Sequence, residues 1–149
     1  MLTGTRRSPI SASFLSGVHA GLAGSSIKIR DGFSAYGEYD AQVAEAIAKK
    51  WFAEKAFPDA ILVIDDQMVP AIYHAARQRG LTIGQDVSII SRGSAGFAES
   101  LEPKLSTIEI SGREIGDKAG QILLQSRSKD ASTRQRIILS SSLILNGLA

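Results

Sequence analysis

The stretch AILVIDDQ, residues 60–67, decides the fold of this 149-residue chain, because five consecutive apolar residues are followed directly by two carboxylates. An unbroken apolar run of this length is typical of a strand buried on both faces of a parallel sheet. Residues 39–57 precede it with apolar side chains at four-residue spacing, which predicts a helix that ends at Pro58. Residues 67–79 follow it as a second predicted helix, which ends at Gly80.

The alternation of strand and helix continues in both directions along the chain. Predicted strands lie at residues 2–5, 25–29, 87–90 and 106–110, predicted helices at 11–22 and 111–125, and one or two terminal strands within 136–146. This order predicts an α/β fold, a mostly parallel sheet with helices on both faces. We expect the strands near Leu2, Ile27, Ile61 and Val87 to be parallel, and ligands to bind at the carboxyl ends of the strands.

The amino-acid composition excludes several classes of protein. Hydrophobic residues make up 44% and charged residues 21%, which excludes a disordered or fibrous chain. Cysteine is absent, which excludes disulfides, cysteine nucleophiles and thiolate metal sites. The net charge of +2 comes with no basic stripe, so we expect no DNA-reading element within this chain. Neither a signal peptide nor a membrane-length apolar run is present, and we expect a soluble, cytoplasmic protein.

Catalytic and metal-binding patterns are also missing from the sequence. His19 and His74 each lie alone within a predicted helix, and no Gly-x-Ser-x-Gly elbow, phosphate loop or His-x-x-x-His pair occurs. We therefore expect a non-enzymatic protein without a cofactor. One alternative stays open: Asp65 and Asp66 after a strand are typical of the magnesium site of phospho-accepting receiver domains, although Ser91 and Arg92 after the next predicted strand form no accepting site.

A series of motifs in order resembles the ligand-binding domain of the LacI/GalR family of bacterial transcription regulators. The motifs are PDAI at 58–61, DDQM at 65–68, AARQRGL at 75–81, GQDVSII at 84–90 and EPKLSTI at 102–108, with FLSGV at 14–18, DGFS at 31–34 and GREIG at 112–116 around them. No single motif is diagnostic, but their order and spacing cover nearly the whole chain. The resemblance implies a periplasmic-binding-protein-like α/β lobe that binds a small, sugar-like effector.

The resemblance also implies how the domain is organised. We expect residues 1–149 to form a single truncated effector-binding domain, with the second lobe at about 1–110 and a tail, 111–149, that would normally pack on a first lobe. Binding to DNA would require a helix-turn-helix that this sequence lacks. The family's second lobe pairs with its twin, so we expect a homodimer that buries Met68, Ile72 and Tyr73. An alternative is a free-standing sugar-binding receptor of the same superfamily.

Four residues are the candidates for ligand binding. Phe33 would stack on the effector, and Asp65 would accept hydrogen bonds from its hydroxyl groups while Asp66 caps the next helix. Phe14 takes the position where the resemblance implies an arginine, and Arg92 adds a positive charge that would favour an acidic ligand. Three of them have a structural alternative: Phe33 as a core aromatic, Asp65 as the helix cap and Arg92 as a surface residue.

Overall fold

The computed structural model describes residues 1–126 and 136–146, and within them a six-stranded sheet has the order β2-β1-β3-β4-β5-β6. The first five strands are parallel, and β6 is antiparallel to β5. The predicted fold class is therefore confirmed. The strands are β1 (Leu2–Thr3), β2 (Ala35–Tyr36), β3 (Ala60–Val63), β4 (Ser88–Gly93), β5 (Ser106–Glu109) and β6 (Ser142–Ile144).

Within the described residues, an α-helix follows each of the five parallel strands. The helices are α1 (Pro9–Leu22), α2 (Ala41–Ala53), α3 (Val69–Gln78), α4 (Ala95–Ser100) and α5 (Gly112–Ser126), and a 3-10 turn (Asp66–Met68) precedes α3. The connection from β1 to β2 runs toward one sheet edge, whereas the later connections run toward the other. Since parallel crossovers are right-handed, α1 covers one face of the sheet, and α2 and α3, which pack on each other, cover the opposite face.

The core lies between the sheet and the pair α2 and α3. Ile61 and Val63 of β3 are fully buried there, whereas Leu62, which points to the other face, is only half-buried. The apolar run at 60–64 therefore forms the predicted strand, but α1 alone does not fully cover its second face. The other large core side chains come from neighbouring elements and include Leu2, Trp51, Phe52, Ile64, Val69, Val87, Ile89 and Leu105.

The strand predicted near Ile27 is wrong. Residues 25–29 are irregular, Ile27 is 65% exposed, and the strand beside β1 is Ala35–Tyr36. The backbone of β1 selects this partner, since Ala35 N donates to Met1 O and Gly37 N donates to Thr3 O. The sequence pattern of residues 25–29 shows that this segment can form an extended strand, but it does not specify which neighbouring strand the segment would pair with.

The predicted dimer contacts are also corrected by the structure. Met68 and Ile72 are 0% exposed and Tyr73 is 3% exposed in the isolated chain, because all three lie in its own hydrophobic core. They are therefore not available to a partner. Apolar residues recur at four-residue spacing around α3 in two ridges, one of Met68, Ile72 and Ala76 and one of Val69 and Tyr73. Both ridges are buried, and the exposed side of α3 carries polar side chains such as His74.

The last helix differs from the others because none of its residues is buried. Ile115, Ile122 and Leu123 of α5 are exposed, although its sequence is amphipathic. Among residues 136–146 the only strand is β6, where one or two strands were predicted. Ile137, Ile138 and Leu143 in this segment are exposed as well. None of the helices in the described segments combines the length and the hydropathy that crossing a bilayer requires.

Candidate functional site

The two carboxylates after β3 lie at the carboxyl edge of the sheet and have different roles from those predicted. Asp65 Oδ1 accepts a hydrogen bond from Gln67 N at 3.1 Å, so Asp65 and not Asp66 caps the 3-10 turn. Asp66 Oδ2 accepts from Ser94 N at 3.0 Å and joins the loop after β3 to the loop after β4. The assignment of Asp66 as the cap is therefore wrong: its side chain reaches across to the next strand.

Gly93 makes this link between the loops possible. A Cβ added at Gly93 would lie 2.6 Å from the Cβ of Asp66 and closer still to its carboxylate. Contacts below 3.0 Å require a displacement, so any side chain at Gly93 would push Asp66 away from Ser94. The glycine at position 93 is thus explained by the close approach of the Asp66 side chain.

Arg92 lies beside Asp65 at the carboxyl end of β4. Its Nε donates to the carbonyl oxygen of Ile64 at 2.8 Å, and its NH2 is 3.8 Å from Asp65 Oδ2. The side chains of Arg92 and Asp65 are 28% and 25% exposed, so the pair is partly shielded from water. At 3.8 Å the two groups attract each other as charges but form no hydrogen bond. Arg92 is therefore oriented by the Ile64 carbonyl, with its terminal nitrogens available to a ligand.

A hollow of about 400 Å³ lies against Arg92 and is lined by Pro9, Ile10, Ser13, Phe14 and Arg92. We call it the Arg92 hollow. Its other wall is the first half of α1, whose start is fixed by the Ser8 side chain accepting from Ser11 N and by Pro9 in the first turn. The structure thus brings together two of the predicted site residues, Phe14 and Arg92, with Asp65 next to them.

Phe33, the predicted stacking residue, lies at the opposite end of the sheet. It precedes β2, its carbonyl accepts from the Met1 amino group, and its ring packs on Trp51 with centroids 6.1 Å apart. With Met1, Pro58 and Leu62 it lines a separate hollow of about 230 Å³ near the amino ends of β1 and β3. Phe33 is therefore not part of the carboxyl-edge site, because the strand it was predicted to follow does not form and it precedes β2 instead.

Tyr39 is the aromatic residue at the carboxyl edge that sequence reasoning missed. It follows β2, is 37% exposed, and its ring lies directly on Gly4 at the end of β1, where an added Cβ would overlap the ring. Both Glu38 and Tyr39 have positive φ, 54° and 56°, which non-glycine residues rarely adopt. Such strain is often retained at ligand sites. The signal in the sequence was an aromatic directly before the helix cap Asp40.

Arg6, which follows β1, lies over the Tyr36 ring at this same edge, 4.9 Å from its centroid, whereas Tyr73 lies away from it. Burial raises the pKa of Tyr73 to about 12, and Tyr73 lines a hollow of about 270 Å³ near the start of β4 and β5. The described segments contain no group of three or more His, Asp or Glu side chains that could hold a metal ion. The chemistry available at the carboxyl edge is therefore an aromatic face, hydrogen-bond acceptors and a guanidinium.

Comparison with known proteins identifies the domain. The family model described as the periplasmic binding protein-like domain matches residues 11–146. This chain belongs to that family. Among curated proteins, the periplasmic binding protein-like chain is 28% identical over 123 residues to the HTH-type transcriptional repressor PurR of Vibrio parahaemolyticus, and 24% identical over 135 residues to the ribose operon repressor of Escherichia coli.

Solved structures agree with this assignment. The chain superposes on a regulatory protein of the LacI family from Chloroflexus aggregans with a TM-score of 0.87 and 28% identity, over 99% of this chain and 53% of that one. The resemblance to LacI-type regulators is therefore confirmed. The matched region spans 83% of this periplasmic binding protein-like chain but 36% of the PurR relative, and 91% but 41% of the ribose operon repressor. The chain thus spans about half the length of the solved regulator and less of the curated ones.

Proposed function

We propose that this chain is the second, effector-binding lobe of a cytoplasmic LacI-type transcriptional regulator. The observation that carries the proposal is the carboxyl edge of a domain of this family, where Asp65 and Arg92 stand at the ends of the neighbouring strands β3 and β4, and Tyr39 follows β2 on the other side of β1. Ligands of open α/β sheets bind at such an edge. The repressor relatives support a role in transcription control, exerted through a DNA-binding segment that lies outside this sequence.

The residues at the carboxyl edge would make different contacts with a bound small molecule. Tyr39 offers a flat apolar face that suits a sugar or a nucleobase ring. The ionised Asp65 carboxylate accepts hydrogen bonds from ligand hydroxyls, and Arg92 donates to ligand oxygens. Asp65 is held by its bond to Gln67 N and Arg92 by its bond to the Ile64 carbonyl, so both groups are oriented before the ligand arrives. Preorganisation of this kind lowers the entropy lost on binding.

The tail is proposed to bind the first lobe of the regulator. Residues 1–110 form the second lobe, and the amphipathic α5 with the segment 136–146 leaves Ile115, Ile122, Leu123 and Ile138 exposed. An apolar surface of this extent is typical of an interaction site. The tail residues 127–135 and 147–149 lie outside the described residues.

A homodimer remains part of the proposal, with contacts different from those first predicted. Since Met68, Ile72 and Tyr73 are in the core, pairing through the helix after β3 would use its exposed side, which includes His74 and Gln78, together with exposed residues near α4 such as Glu99. Two-fold symmetry is the expected closed arrangement.

A thermal-shift screen against sugars, sugar acids and purines tests the effector function, because a ligand that binds only the folded chain raises its melting temperature. We expect a hit whose shift is lost in Asp65→Ala but kept in Asp59→Ala, which removes a carboxylate at the amino end of the same strand. A melting-temperature shift that Asp59→Ala abolishes and Asp65→Ala keeps would place the site at the amino edge of the sheet and contradict the proposal. An in-frame helix-turn-helix upstream would distinguish a regulator from a free-standing receptor.

A further inference from the structure

The charge of the Arg92 hollow is the feature that the proposed function leaves unexplained. Of its five lining residues, Pro9, Ile10 and Phe14 are apolar, Ser13 supplies a hydroxyl, and Arg92 alone is charged. The volume of about 400 Å³ falls within the range of small-molecule sites. The hollow therefore combines an apolar wall with one cation.

Arg92 has hydrogen-bonding capacity that the described part of the chain does not use. Its Nε is bonded to the Ile64 carbonyl, but within residues 1–126 and 136–146 its terminal nitrogens have no hydrogen-bond acceptor, and Asp65 Oδ2 at 3.8 Å is too distant to be one. A guanidinium presents these N–H groups as a planar fork that matches the two oxygens of a carboxylate.

The neighbouring carboxylates have hydrogen-bond partners of their own. Asp65 Oδ1 accepts from Gln67 N, and Asp66 Oδ2 accepts from Ser94 N, so each aspartate is already bonded to a backbone donor. Neither aspartate is among the residues that line the hollow. A ligand in the Arg92 hollow would contact the guanidinium directly, while Asp65 Oδ2, 3.8 Å from Arg92 NH2, partly offsets its charge.

We infer that the effector of this lobe is a small carboxylic acid whose carboxylate binds the terminal nitrogens of Arg92 and whose apolar ring lies against Phe14 and Ile10. The inference rests on the proposed function, specifies its ligand class, and assigns the ring to the Phe14 wall of the hollow instead of to Tyr39. The acid group supplies the acceptors that Arg92 lacks, and the ring covers the apolar wall of α1. A neutral molecule of the same shape would fill the hollow without supplying the paired anionic acceptors that the terminal nitrogens of Arg92 can bind.

Matched pairs of probes test this inference with the full 149-residue chain. Benzoate and benzamide have nearly the same shape and differ in charge, and glucuronate and glucose share a pyranose ring and differ in the acid group. Phenyl phosphate tests whether the anion is a phosphate instead. Titration followed by NMR or calorimetry should show each carboxylate binding roughly tenfold to a hundredfold more tightly than its neutral counterpart. The preference should weaken with added salt, because the contact is ionic.

Variants assign the preference to Arg92. Arg92→Gln should abolish the difference between benzoate and benzamide, and Arg92→Lys should retain part of it, since lysine keeps the charge but not the fork. Lys55→Gln removes the same charge at the opposite end of the sheet and should change nothing. Circular dichroism and melting temperature of each ligand-free variant verify folding, and if Arg92→Gln does not fold, Arg92→Lys and the salt dependence carry the test.

Each other outcome counts against the inference. Equal binding of acids and amides, or an acid preference that survives Arg92→Gln, would overturn it and leave the effector function standing. Tighter binding of phenyl phosphate than of benzoate would overturn the carboxylate assignment. If these probes fail while neutral sugars or purines bind in the wider screen, the inference alone is lost; if both screens fail, the proposed function is lost with it.

Discussion

Replacing Gly93 with alanine tests the architecture of the carboxyl edge. The added methyl group would meet the Asp66 side chain, 2.6 Å from its Cβ and nearer to its carboxylate, so the carboxylate must leave Ser94 N. Overpacking of a tight contact destabilises by roughly 1–3 kcal/mol. Loss of a hydrogen bond to a charged group destabilises by roughly 1.5–3 kcal/mol. The lower end of this range applies here, because Asp66 is only half-buried and solvent screens its charge.

The sum predicts that Gly93→Ala lowers the free energy of unfolding by about 2–5 kcal/mol. Urea denaturation followed by circular dichroism measures it. Gly96→Ala in α4 is the matched control, since nothing lies within 4 Å of a Cβ there and alanine favours a helix more than glycine does. We expect this control to be unchanged or slightly more stable than the wild-type chain.

A double-mutant cycle isolates the contact between Gly93 and Asp66. Asp66→Ala removes the carboxylate that the new methyl group would strike, so Gly93→Ala should destabilise less in that background, with a coupling of at least about 1 kcal/mol. Additive effects of the two substitutions, or a Gly93→Ala chain as stable as the wild type, would show that Asp66 does not pack on Gly93 and would refute the reasoning.

Three further substitutions give distinct results. Asp65→Ala should weaken the effector by roughly 1.5–3 kcal/mol and destabilise the chain by about 1 kcal/mol through the lost cap, and unchanged affinity in calorimetry would remove Asp65 from the site. Gly4→Ala should displace the Tyr39 ring and weaken binding with little loss of stability, because a flexible ring end can move; unaltered affinity would exclude stacking on Tyr39. Ile72→Glu should unfold the chain, as measured by circular dichroism, because it buries a charge in the core. A variant that stays folded but sediments as a monomer would instead indicate that Ile72 lies in the dimer interface.

The parts of the fold that follow from local physics were predictable from the sequence. The apolar run at 60–64 requires burial and Gly80 follows the end of α3, so the strand–helix order could be read directly, although α2 ends at Ala53 and not at Pro58 as predicted. The pairing of strands was harder to predict, because β2 has only two residues and is selected by the backbone of β1. Residues 25–29 were as plausible a strand as residues 35–36 until that partner was known.

The site was only partly predictable for the same reason. Arg92 and Asp65 end central strands whose positions the sequence fixes well, and both lie at the expected edge. Phe33 and Tyr39 both follow a turn, and the choice between them depends on which short segment becomes β2. For Met68, Ile72 and Tyr73, the spacing reveals apolar ridges on a helix but not that both ridges are covered by α2 and the sheet.

The central claim, that a small molecule binds at the carboxyl edge, is tested most directly by mapping amide shifts of the 15N-labelled chain with a hit from the screen. The account predicts that the largest changes fall on residues 37–39, 65–67 and 92–94. The indole N–H of Trp51, the single tryptophan, which donates to Gly32 O at the opposite end of the sheet, should not move. Changes centred on Trp51 and Phe33, with residues 65–67 and 92–94 unaffected, would contradict the claim.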